Sequence, residues 1–146
     1  MIAAAVIFAV SACAVSYAEP TKSELVYLEA YGAAFAMAAY NTQIVTGMTG
    51  DSFVGNVYTA DEAKDVLSEQ KSMIQVQIDY IAKVDATASG EKVLKDMKDV
   101  CDLLIIMINS LESYINDPSI DNANLFETKR KESYKAITDL LGISEE

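Results

Sequence analysis

The residue types that carry most enzymatic chemistry are sparse in this 146-residue chain: histidine is absent, Arg130 is the one arginine, and the two cysteines are Cys13 and Cys101. Without an imidazole, a serine or cysteine nucleophile lacks its usual base. The Glu-x-x-His pairs of di-iron bundles cannot be written, and haem attachment through Cys-x-x-Cys-His is excluded. A pair of carboxylates can still act as acid and base. The acids here fall on polar helix faces, as in Asp65, Glu69 and Asp79 or Asp96, Asp99 and Asp102, and read as solvated surface. The span 51–61 lacks the acidic alternation of an EF-hand loop, and Gly47, Gly50 and Gly55 match no phosphate-binding fingerprint. The expectation is a protein with no enzymatic activity, no metal and no cofactor.

Binding is the remaining class, and three sets of residues are candidates for it. Gln70 and Gln77 lie two turns apart near the middle of an otherwise apolar helix face. A buried amide there needs hydrogen-bond partners; it is either a polar layer that sets helix register, satisfied by Thr42, Thr46 or a tyrosine hydroxyl, or a polar spot in a small-molecule cavity. Phe53 and Tyr58 sit in a glycine-rich stretch, 47–58, that carries much apolar surface for a loop. It either folds back over a bundle end or presents a binding surface. Leu103, Ile105 and Ile106 carry apolar side chains beyond the main stripe of their helix, and a self-complementary patch there would make a homodimer. Cys101 lies in that main stripe, where a free thiol behaves as a small hydrophobe.

The elements that position these residues are helices. Val93, Met97, Val100, Leu104, Met107, Leu111 and Tyr114 recur at alternating four- and three-residue steps, the signature of an amphipathic helix packing on several neighbours. Ser89 is a candidate cap for it, and Asn116-Asp117-Pro118 stops it, since proline cannot continue the hydrogen bonding. Thr21-Lys22-Ser23-Glu24 and Thr59-Ala60-Asp61-Glu62 are capping boxes that start two earlier helices. The first should run to about Thr46 and end at Gly47, with Leu28, Phe35, Ala39, Thr42 and Thr46 along one face. The second should run to about Asp85, with Val66, Leu67, Met73, Ile74, Ile78, Tyr80, Ile81 and Val84 inward. A last helix starts between Asp121 and Asn124, has one apolar stripe of Phe126, Tyr134, Ile137 and Leu141, and carries the basic cluster Lys129, Arg130, Lys131 and Lys135. Gly142 with Ile143 beyond it predicts a left-handed cap. The fold class expected is all-α, an antiparallel up-and-down four-helix bundle.

The first 18 residues bear no charge and run apolar from Ile2 to Val10, then small at Ser16-Tyr17-Ala18. They read as a secretory signal cut after Ala18, leaving 19–146 as one bundle domain, although no lysine or arginine precedes the apolar core. Two alternatives stand. Val10-Ser11-Ala12-Cys13 resembles a bacterial lipobox, which would make Cys13 a lipidated first residue, or the segment stays uncleaved as an anchor. The expected location is secreted or periplasmic, with a membrane-anchored lipoprotein as the alternative and membrane contact only through this segment. The net charge of -11 opposes nucleic acid and anionic lipid. The expected partner is a protein or a second copy of the chain, and a small-molecule sensor is the alternative.

Overall fold

The computed structural model describes residues 21–85 and 88–143, so the expected leader, Cys13 and the expected cleavage site lie outside the described residues. Four α-helices and no strand make up the described chain: α1 Lys22–Val54, α2 Ala60–Ile81, α3 Ala88–Asn116 and α4 Ile120–Leu140. This is a helical bundle. Helices α1 and α3 each pack against the other three, whereas α2 and α4 do not touch among the described residues. The layout therefore has α1 and α3 across the middle and α2 and α4 on opposite flanks.

Helix α3 supplies most of the core. Leu94, Met97, Val100, Cys101, Leu104, Met107, Ile108, Leu111 and Ile115 are all buried, as their spacing predicts. Its charges stay outside, where Lys95 reaches Asp99 at 2.6 Å and Lys98 reaches Asp102 at 2.7 Å, one turn along the helix. Ser89 lies within its first turn rather than ahead of it, and that side chain lies outside the described residues.

The ends of α2 follow local chemistry. Thr59 Oγ1 accepts the Glu62 N–H at 3.3 Å while Glu62 Oε2 accepts the Thr59 N–H at 2.8 Å, a closed capping box. The helix ends at Ile81, four residues earlier than expected, because the chain tightens into i to i+3 bonds from Lys83 to Tyr80 and from Val84 to Ile81. Its inward face is Ala63, Leu67, Gln70, Ile74 and Ile81; Met73 and Tyr80, expected inside, are exposed.

Helix α4 begins one residue ahead of the expected window. Ser119 caps it, and Asn122 Nδ2 donates back to the Asp117 carbonyl at 2.9 Å. Its exit is the expected Schellman cap: Gly142 has φ +65°, Ile143 N–H donates to Thr138 and Gly142 N–H to Asp139. Phe126 and Ile137 are buried, but Tyr134 is not; the buried Ser133 takes the inward slot, its hydroxyl 3.1 Å from Met107 Sδ.

The largest departure is at the end of α1. Instead of stopping at Gly47, the helix continues through Gly50 to Val54, and most of the expected 47–58 loop is helical. Neither glycine makes a turn. A Cβ on Gly50 would lie 2.9 Å from the Phe126 ring, so its absence lets α4 approach closely, whereas one on Gly47 would meet at 2.8 Å only the movable guanidinium of Arg130. Asn56 ends the helix. It takes the left-handed conformation (φ 56°), with Val57 N–H bonded to Ser52 and Asn56 N–H to Phe53, a Schellman cap with asparagine in the glycine position. At the other end Leu25 N–H bonds the Thr21 carbonyl at 3.0 Å; the Glu24 side chain, the other half of the expected box, lies outside the described residues.

Candidate interaction surface

Among the described residues no group of three or more histidine, cysteine or acidic side chains comes together as a metal site. Cys101 is 1% exposed. Burial pushes its thiol up to about 11, with Asp102 adding to the shift and Lys98 opposing it, so at neutral pH it is no nucleophile.

The two glutamines separate. Gln70 is 4% exposed and its Oε1 has no hydrogen-bond partner, a condition shared by Thr46 Oγ1 and the Tyr31 hydroxyl. The expected bond from Thr46 or a tyrosine to Gln70 is not made. Gln77 is half-buried and lines a cleft of about 230 Å³ between α1, α2 and α3, together with Phe35, Ala38, Asn41, Met73 and Cys101. Gln70 does not reach it. The sequence-predicted pair is thus one core residue and one cleft residue.

The other candidates divide as well. Phe53 sits in the last turn of α1, half-buried, with its ring edge on Tyr114 at a centroid distance of 6.0 Å. Tyr58 is exposed in the short connection beyond. Leu103 is half-buried and Ile105 packs against the core; of the three residues only Ile106 is open to water. A basic depression between α1 and α4 is lined by Arg130, Lys131 and Lys135, of which Arg130 meets Asp51 and Glu127 at 3.5 and 3.4 Å and Lys135 meets Asp139 at 2.7 Å.

A further open apolar surface lies outside the candidate residues. Val26, Met37, Ile44 and Met48 lie along the outer side of α1, 57%, 76%, 38% and 61% exposed. Ala30 and Ala33 fill the same stripe, and Tyr40 borders it, meeting Tyr134 of α4 at 6.4 Å between centroids. On the other border Met73 and Val76 of α2 are exposed and share the cleft walls with Ala38 and Asn41 of α1. The surface therefore runs across one face of the bundle. A readable signal existed: no charged residue stands between Glu29 and Asp51, an interval that a solvated helix in so acidic a chain would not leave blank. No helix among the described residues is long and apolar enough to cross a membrane. No family model, no curated protein and no solved structure matches the chain.

Proposed function

We propose that the protein is an exported interaction module that works by binding another protein and catalyses no reaction. The observation that carries this reading is the charge-free apolar face of α1, with Met37 76% exposed; contiguous exposed apolar surface of this kind marks interaction sites. The scaffold fits such a role. Short connections and packing between helices adjacent in sequence support an antiparallel up-and-down order, which holds one long face rigid. The apolar, uncharged first 18 residues support export, by a cleaved signal or by lipidation at Cys13.

The test is a photo-crosslinking side chain placed at position 37 in the native host, with the intact mass of the recovered protein read alongside. A discrete covalent adduct to a protein, absent when the crosslinker is moved to position 64 on α2, is expected; no adduct from position 37 overturns the reading. The 230 Å³ cleft with Gln77 in its wall favours one second reading, a small-molecule site. That reading predicts a bound organic mass in native mass spectra of the recovered protein and its loss in Ala38→Leu, which fills the cleft.

A further inference from the structure

Along the outer side of α1, Val26, Ala30, Ala33, Met37, Tyr40 and Ile44 follow one another at steps of four and three. That is the 3.5-residue repeat of a helix meant to meet another helix, and Met48 extends it to a length of about 33 Å. We propose that a second copy of this chain covers this face, the two α1 helices lying antiparallel about a two-fold axis beside Met37. The inference rests on the protein-binding reading above and names its partner.

Size complementarity favours this arrangement. The N-terminal half of the stripe is small and the C-terminal half is large. Pivoting on Met37 sets Val26 opposite Met48, Ala30 opposite Ile44 and Ala33 opposite Tyr40 and Asn41, so each small residue faces a large one. A parallel pair would stack alanine on alanine at one end and methionine on methionine at the other. Charge points the same way. With 22 acidic against 11 basic residues, most other faces of two copies repel. The antiparallel pair keeps the charge-free interval 30–50 at its centre and places Lys22 of one copy within a turn of Asp51 of the other. The flanking Met73, Val76, Tyr80 and Tyr134, all exposed, widen the surface beyond α1 alone, as an interface of about 800 Å² per partner requires.

The experiment is sedimentation of the protein recovered from its host over rising concentration, beside Met37→Lys and Met37→Cys. The wild type is expected to dimerise reversibly. Met37→Lys, which sets two ammonium groups together at the pivot, is expected to be monomeric with unchanged circular dichroism and urea midpoint. Met37→Cys is expected to form an intermolecular disulfide on mild oxidation, whereas Ile106→Cys, exposed on α3, is not. A wild type that stays monomeric up to about 1 mM overturns the proposal. If a crosslinker at position 37 then still captures a different protein, the binding reading stands without the dimer; if it captures nothing, both fall.

Discussion

Helices α1 and α3 are the two longest among the described residues, at 33 and 29 residues, and both touch every other helix. They meet water in opposite ways. Helix α3 is apolar inside and charged outside, with lysine–aspartate pairs one turn apart along its exposed side. Helix α1 buries Phe35, Ala36 and Ala39 together with Thr42, Gln43, Thr46 and Thr49 on its inner side, exposes an apolar stripe on its outer side, and carries its only charges before Ala30 or after Gly50. Packing within one copy accounts for the inner side of each helix and leaves the outer apolar stripe of α1 without a covering neighbour. That is why the proposed binding function is placed on α1.

The sharpest way to break this comparison is to truncate one side chain on each helix. Ile108 on α3 is 0% exposed, and Ile108→Ala is expected to lose about 2–5 kcal/mol through transfer and cavity terms. Met37→Ala on α1 is expected to stay within about 0.5 kcal/mol, the range of surface changes. Urea titration of both variants measures the contrast. A large loss at Met37 in a monomeric sample would show that the outer stripe is structural after all.

A second test separates the two glycines that carry α1 past its expected end. Gly50 faces the Phe126 ring and Leu111 Cδ1, at 2.9 and 3.3 Å from where a Cβ would stand, and both side chains are buried. Gly50→Ala is expected to destabilise by about 1–2 kcal/mol, since overpacking exceeds the gain in helix propensity. Gly47 faces only the far end of Arg130, a side chain about 30% exposed, which can swing away. Gly47→Ala is expected to stabilise by about 0.5–1 kcal/mol. Equal signs in the two melts would contradict close approach at Gly50 alone.

These glycines also show how much was legible. Helix number, the inward stripe of α3, the capping box at Thr59 and the Gly142 cap could all be read, because each is a local pattern with a local cause. Gly47 and Gly50 misled for the opposite reason. Their role is set by Phe126 and Arg130, some eighty residues away, and a glycine placed for close approach looks like one placed for a turn. Tyr134 and Ser133 exchanged roles for a similar cause, as Met107 Sδ gives the serine hydroxyl a buried neighbour at 3.1 Å. Gln70 and Gln77 were legible as polar residues on an apolar face, but which of them meets the cleft depends on where α1 and α3 cross it. The α1 surface holds no residue that stands out in type; its signal is a run of residues that lack charge.

A smaller effect reads the dryness of α3 directly. Cys101 is raised from 9.0 to about 11 by burial first and Asp102 second. The folded thiol therefore holds its proton where the unfolded thiol has begun to lose it. Stability contributed by the neutral thiol is fully present below about pH 9 and is lost as pH rises through about 11. Between pH 7.5 and 9.5 the wild type is expected to lose less than about 1 kcal/mol from this group, and Cys101→Ala to lose correspondingly less. The quantity to measure is the difference between the two urea midpoints at each pH. An identical slope in both proteins would mean that the thiol is wet, and the inner face of α3 with it.

The smallest effect falls where the fold meets water through charge, the opposite of what α1 does. Glu62 is held below its ordinary range by the Thr59 N–H, which donates to it at 2.8 Å, with the Thr59 hydroxyl second. Because the folded value is depressed, its contribution is present above the unfolded value of about 4.5 and is lost as pH falls through the lower folded one. Glu62→Gln removes the titration while leaving an acceptor for the same N–H. Its acid unfolding curve is expected to be shallower than the wild type's on the low side of pH 4.5 and its midpoint at pH 7 only slightly lower, since water screens so exposed a group. Association through α1 should be blind to this change, having no charge between Glu29 and Asp51 to respond. A dimer that weakened in Glu62→Gln would place the start of α2, rather than the α1 stripe, at the centre of the contact.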